Sequence, residues 1–304
     1  MDLALIVVKQ TLVMFIYMMI GFTLFKTKIL TKEGSKAFAN LLVWVVIPVL
    51  IVNSFIMECT PEKMISFLIS FGIGAGVLAL SMLISLIFFR KKPEEIIATS
   101  FSNAAFMGIP LVQAVVGQEG VFFLVGAIAL LNVLQGTYGV ALLTAGKKKT
   151  GWKTIVLNPI LIGMVVGIIL FLTGLSMKLP YVIKTAVSGI AAANSPIAMI
   201  ILGIYLAQCP LKSLVTSPEV YWVSLVRLIL IPGVTMLLLW PLPIAYEMKL
   251  SFLLMAAAPC GSNVAVYAQL HGGDYPKACR LVAFTTVLSI ITLPLMAMLA
   301  GKLF

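Results

Sequence analysis

Two stretches of the sequence place small, polar and proline residues where the surrounding chain is almost wholly apolar. The first is Ser102-Asn103-Ala104-Ala105-Phe106-Met107-Gly108-Ile109-Pro110, which leads to Gly117-Gln118-Glu119-Gly120. The second is Ala258-Pro259-Cys260-Gly261-Ser262-Asn263, which leads to His271-Gly272-Gly273-Asp274. Each predicts a helix broken midway. Gly108, Pro110 and Pro259 keep the chain from winding through, because proline lacks an N–H and glycine carries no helix preference. Gly261 admits a close backbone approach. A break exposes half-helix ends, and the N-terminal ends carry free N–H donors and partial positive charge. Two breaks that cross would aim those donors at one point, and that point suits a carboxylate. An amide at Asn103 can donate to the carboxylate and accept from a freed backbone group. The expected ligand-binding residues are Ser102, Asn103, Pro259, Cys260, Gly261 and Asn263, with Asn194, beside Pro196, either facing them or hydrogen-bonding to a neighbouring helix.

The elements that must position these residues are membrane spans. The chain has 304 residues, of which 62% are hydrophobic and 10% charged, with mean hydropathy +1.15. Soluble domains carry about 25% charge, so a water-soluble enzyme is excluded and most of the surface must meet lipid. A span needs about 20 apolar residues, and reading for such runs gives ten. They are Leu5–Phe25, Ala37–Ile56, Met64–Phe89, Ile96–Val116, Val121–Thr144, Thr154–Leu175, Thr185–Ala207, Val220–Leu242, Leu250–Leu270 and Cys279–Gly301. The first is not expected to be a cleaved signal peptide, since Asp2 stands where a basic region belongs and no A-x-A-like site follows. The four cysteines lack metal-ligand or C-x-x-C spacing, so no metal site is expected and no cofactor is implied.

Loop charge orients the bundle. The loops after spans 1, 3, 5, 7 and 9 hold 14 of the 21 lysines and arginines, and the opposite loops hold 5. The positive-inside rule places the richer side in the cytoplasm and both termini outside, in a cell (plasma or inner) membrane. The net charge of +11 is thereby accounted for by cytoplasmic loops, and no nucleic-acid partner is expected.

The two broken spans are the fourth and the ninth, with 155 positions between Glu119 and Asp274. Pro48 and Pro196 make a second pair at a comparable offset. The chain divides into a first five-span repeat (1–146), a short cytoplasmic connection (147–153) and a second repeat (154–304). A repeat with an odd number of spans must sit upside-down to its copy. Inverted repeats with interrupted helices in matching positions point to a secondary transporter with its site at the midplane. Lipid cannot satisfy an unwound backbone, so the breaks must be covered by protein or water.

Other polar residues admit two roles. Arg227 lies about seven residues from the cytoplasmic end of span 8. A structural or snorkelling role is preferred there, with anion attraction or a gating pair as the alternative. Gln135 and Thr137 in span 5, with Ser102 and Asn103, supply neutral oxygens that can hold Na⁺. Asn132 is expected to be structural. No carboxylate lies mid-membrane, so potential-driven anion movement, expected as export, ranks ahead of sodium coupling. A membrane enzyme would need a nucleophile–base set, H-E-x-x-H or paired carboxylates, and none is present.

Five segments resemble the auxin efflux carriers of plants and their bacterial relatives. Asn103 followed by Met107-Gly108-Ile109-Pro110-Leu111 is similar to P-N-T-L-V-M-G-I-P-L, with Ser102 in place of the first proline. Asn158-Pro159 matches an N-P pair. Ala198-Met199, Leu202-Gly203 and Leu206-Ala207 resemble G-M-A-M-F-S-L-G-L-F-M-A. Arg227 with Pro232 resembles R-F-I-A-G-P, and Ala257-Ala258-Pro259 with Gly261 resembles A-L-P-Q-G. The resemblance implies an all-α fold of two inverted five-helix repeats. Helices 1, 2, 6 and 7 would form a scaffold that makes a homodimer through helices 2 and 7. Helices 3–5 and 8–10 would form a transport unit in which helices 4 and 9 cross. It also implies transport of a small organic anion, auxin-like or a dicarboxylate, by an elevator-like alternation. The short Lys147–Lys149 connection and the uncharged Gly72–Gly76 stretch depart from the plant pattern. The neutral oxygens around Ser102 and Gln135 also resemble the sodium sites of bile-acid-type transporters, which makes sodium-coupled symport the alternative.

Overall fold

The computed structural model describes residues 3–146, 151–208 and 217–304. Lys147–Lys149, Cys209 and Lys212, which enter the readings above, lie outside the described residues. Among those residues the chain is all helix, with no strand beyond one isolated two-residue bridge. Seven helices are long and apolar enough to cross a membrane. They are α1 (Leu5–Lys26), α2 (Glu33–Ser54), α3 (Pro61–Phe88), α6 (Gln118–Leu143), α8 (Tyr181–Gln208), α9 (Pro218–Leu239) and α12 (Tyr275–Leu303). Shorter helices lie between them: α4 (Pro93–Ser100), α5 (Ala104–Val115), α7 (Pro159–Leu172), α10 (Tyr246–Ala257) and α11 (Asn263–His271).

The stretch expected as span 6 is shorter than its apolar run. Asn158 accepts the N–H of Ile160 at 2.9 Å and Pro159 follows at the first helical position, so α7 starts there and separates from the short helix Trp152–Val156. At 1.5 Å per residue its 14 residues reach about 21 Å, less than a hydrocarbon core.

Three helices widen for the same reason. Ile47-Pro48, Ile109-Pro110 and Ile231-Pro232 each follow a π-turn, Leu42–Val46, Ala104–Gly108 and Val226–Leu230. The isoleucine N–H reaches back five residues, to Leu42, Ala104 and Val226. The proline ring would clash with the carbonyl four residues before it, and the wider turn moves that carbonyl aside.

The apolar surface is turned outward as well as inward. Ile16, Trp44, Leu68, Ile87 and Ile291 are each 60% exposed or more, which water would not tolerate over so many helices and lipid does. Inside, α1 and α8 cross where Gly21 meets the Ile200 carbonyl and Gly203 meets the Met18 carbonyl. A cluster of Phe55, Phe67, Phe122 and Phe171, with ring centroids 5.3–6.0 Å apart, joins α2, α3, α6 and the end of α7.

Candidate functional site

α4 and α10 both stop in mid-bundle. Phe101 turns out of α4 in an extended conformation, and Ala258 turns out of α10 in an extended conformation that the following proline favours. The two loose ends then pair. Asn103 N–H donates to the Pro259 carbonyl at 2.8 Å, and Gly261 N–H donates to the Phe101 carbonyl at 3.0 Å. Ser102 and Cys260 thus face each other as an antiparallel bridge. Backbone groups that lipid could not satisfy are satisfied by each other. A Cβ on Gly261 would stand 3.3 Å from the Ser102 carbonyl oxygen, a tight contact that glycine avoids.

The carbonyl ends of the two broken helices converge on Arg227. Its Nη1 donates to Thr99 O at 2.8 Å, its Nε to Ala258 O at 3.1 Å, and its Nη2 to Ala256 O. The side chain is fully buried. Of the structural or snorkelling roles preferred above, this placement excludes snorkelling: the guanidinium lies inside the bundle and donates to three carbonyls.

The opposite ends, where α5 and α11 begin, present their first N–H groups without intrahelical partners. Between them lies a cavity of about 210 Å³, and no charged side chain lines it among the described residues. Asn103 and Gln135 are buried, and neither Asn103 Nδ2 nor Gln135 Nε2 has an acceptor. Gln135 Oε1 is taken by Asn263 Nδ2 at 3.3 Å, which leaves the Gln135 amide N–H groups pointing to an unfilled need. Unpartnered donors beside two helix N-termini can donate to an acceptor, and a carboxylate is one that also carries charge. A second cavity of about 490 Å³ shares Phe106, Ser262 and Asn263 with the first. Ser35, Lys36, Gln208 and Tyr275 line it, so it opens at the end of the bundle that carries the loops after α1 and α11.

The structure gathers Ser102, Asn103, Gly261, Asn263 and Gln135 around the smaller cavity. Pro259 and Cys260 contribute backbone only: the Cys260 N–H donates to Thr285 Oγ1 at 3.2 Å, and its buried thiol does not line the cavity. Gly108 and Pro110 flank the end of the π-turn that opens α5. Thr137 and Asn194 line neither cavity. The Thr137 hydroxyl donates to the Val133 carbonyl at 2.7 Å on its own helix, and Asn194 is fully buried in α8. Sequence reasoning missed Asn158 and Tyr267 as lining residues, and Asn132, expected to be structural, also borders the smaller cavity. Asn158 is legible as a cap before Pro159, but capping alone does not show which cavity the residue borders. Among the described residues no cluster of metal-ligating side chains occurs.

Comparison with known proteins gives two matches. A family model described as membrane transport protein covers residues 6–297. The chain is similar to an uncharacterized transporter of Methanocaldococcus jannaschii, 24% identical over 311 residues, which takes in 97% of each protein.

Proposed function

This chain belongs to the membrane transport protein family, and from that premise we propose that it is a secondary transporter of a small organic anion. The observation that carries the reading is the pair of buried, unpartnered amide donors, Asn103 Nδ2 and Gln135 Nε2, between the N-terminal ends of α5 and α11. A carboxylate fills that need, and its body extends into the apolar larger cavity. The smaller cavity has no charged side chain for a second carboxylate, whereas Lys36 lines the larger one, so a monocarboxylate and a longer dicarboxylate both suit the pair of cavities. Sodium symport is not favoured. The family match does not point to it.

The proposed architecture is ten membrane crossings in two inverted repeats, with α4–α5 and α10–α11 as the broken fourth and ninth. The offset of 155 positions and the paired breaks support it. Elevator-like alternation and a homodimer through the second and seventh spans rest on the resemblance stated above. With the lysine-rich loops in the cytoplasm, the larger cavity opens inward. A membrane potential negative inside then favours export, by about 2.3 kcal/mol per 100 mV for each charge.

The testing experiment compares each of a panel of organic acids with its uncharged amide. Acids should raise the melting temperature of purified protein, as any ligand bound only by the native state does. Labelled acid should enter proteoliposomes along an imposed potential. Equal stabilisation and transport by acid and amide would reject the carboxylate site.

Orientation has its own test. A cysteine placed at Lys91 in an otherwise cysteine-free protein should resist an impermeant thiol reagent in intact cells, while one at Lys178 should react. The reverse labelling pattern would invert the bundle and turn the larger cavity outward.

A further inference from the structure

Transporters with discontinuous helices place coupling cations at the freed carbonyls and C-terminal ends of the half-helices. In this protein those groups already hold a cation. Thr99 is the penultimate residue of α4, Ala256 is the penultimate residue of α10, and Ala258 is the first unwound residue after it. All three carbonyls accept from the Arg227 guanidinium. Each helix C-terminus carries roughly half a negative charge. Two of them therefore balance one guanidinium, and among the described residues no carboxylate lies within ion-pair distance of Arg227. A buried cation in a membrane protein needs such compensation, and backbone carbonyls provide it here. The planar fork also suits carbonyls that arrive from two different helices, which a single ammonium could not span as well.

We propose that Arg227 is a tethered cation that occupies the place of a coupling ion at the helix crossing. It joins the carbonyl ends of α4 and α10 and offsets their negative charge behind the anion site. A free cation then has no vacancy there, and anion binding proceeds without Na⁺. Arg227 is a positioning residue: it does not line either cavity and acts through the two helix ends that carry the Ser102–Cys260 bridge. Removing the side chain should leave a carbonyl cage that takes a free guanidinium or a monovalent metal cation.

The carboxylate arm of the test rests on the function proposed above, and the stability arms do not. In wild type, melting temperature and acid affinity should agree within twofold or a degree or two in Na⁺, K⁺ and choline buffers. Arg227→Met should lose at least tenfold in acid affinity. Arg227→Ala should be less stable than wild type and should regain most of that loss in millimolar guanidinium, with a saturable dose response, while wild type does not respond. If Arg227→Ala cannot be isolated, its yield when produced and purified with guanidinium is the readout, and recovery is expected. A wild type that gains more than fivefold in affinity, or many degrees in stability, from Na⁺ alone would overturn the proposal. So would an Arg227→Met variant with unchanged affinity, or an Arg227→Ala variant indifferent to every cation. If no acid binds wild type but guanidinium rescues Arg227→Ala, the anion reading fails and the tethered cation stands.

Discussion

Replacing Asn103 by alanine is expected to weaken carboxylate binding by about 10–100-fold with little change in the stability of the empty protein. The magnitude follows from a hydrogen bond to a charged acceptor, worth roughly 1.5–3 kcal/mol, at about 1.4 kcal/mol per factor of ten. The small effect on the fold has a structural cause. The Asn103 backbone holds the crossing, through its N–H to Pro259 O and its carbonyl to the N–H groups of Met107 and Gly108. The side-chain amide holds nothing, since Nδ2 has no acceptor. Alanine keeps every backbone bond and removes an unpaired buried donor whose desolvation already works against folding. Titration calorimetry or acid-induced melting shifts would measure the loss. Asn103→Asp should abolish acid binding, because a carboxylate then faces a carboxylate. Gln135→Ala should act in the same direction, and the double variant should lose less than the sum, as both amides meet one ligand. Asn132→Ala is the comparison. It also lines the smaller cavity, but its amide already donates to the Ile128 carbonyl at 2.8 Å and is not free for a ligand, so binding should change less than threefold. An Asn103→Ala variant with wild-type affinity, beside an Asn132→Ala variant that binds nothing, would move the site toward the middle of α6.

A methyl group at Gly203 should be among the most destabilising single changes in the molecule. An ideal Cβ there lies 1.8 Å from the Met18 carbonyl oxygen, and its counterpart at Gly21 lies 2.0 Å from the Ile200 carbonyl oxygen. Neither obstacle is the end of a flexible side chain. To admit the methyl, α1 and α8 must move apart as backbones, and both helices are packed along this contact. Overpacking that side chains can absorb costs about 1–3 kcal/mol, so Gly203→Ala is expected at the top of that range or above, and Gly203→Leu should prevent accumulation of folded protein. Small residues at membrane helix crossings act in this way, because close approach is the main source of association in lipid. Gly76→Ala and Gly233→Ala are the controls, with no atom within 4 Å of the added Cβ. Both should be neutral or stabilising by up to about 1 kcal/mol, the usual gain of alanine over glycine in a helix. Thermal melts of the three alanine variants in one detergent, with the yield of Gly203→Leu, would test this. A Gly203→Ala protein as stable as wild type would remove the crossing from its place in the fold.

The same four glycines mark what the sequence could and could not settle. Each sits in an apolar run, and nothing local distinguishes Gly203 from Gly233. Helix periodicity and composition are local properties, so they were sufficient for the membrane class, the apolar runs and the two interruptions at Ser102–Asn103 and Pro259–Cys260. Pro259 biases Ala258 out of the helix locally, but Ile47, Ile109 and Ile231 stay helical before their prolines, so the break also needs the pairing with the Phe101–Asn103 segment. The π-turns before Pro48, Pro110 and Pro232 each accompany a proline, yet Pro294 lies in α12 without one, so the proline alone does not fix the turn. What Arg227 does is not local. Its hydrogen-bond partner Thr99 is 128 positions away, and a position seven residues from the end of a span is compatible with a side chain that turns outward to lipid headgroups or inward to carbonyls. Asn103, Gln135, Asn194 and Thr137 were alike in sequence as amides and hydroxyls inside spans. Only the packing decided that the first two keep unpaired donors at a cavity, that Asn194 is sealed within α8, and that Thr137 spends its hydroxyl on its own helix. The physical reason is that chain chemistry fixes where backbone groups are freed, while the partners that satisfy them are chosen by the contact of helices distant in sequence.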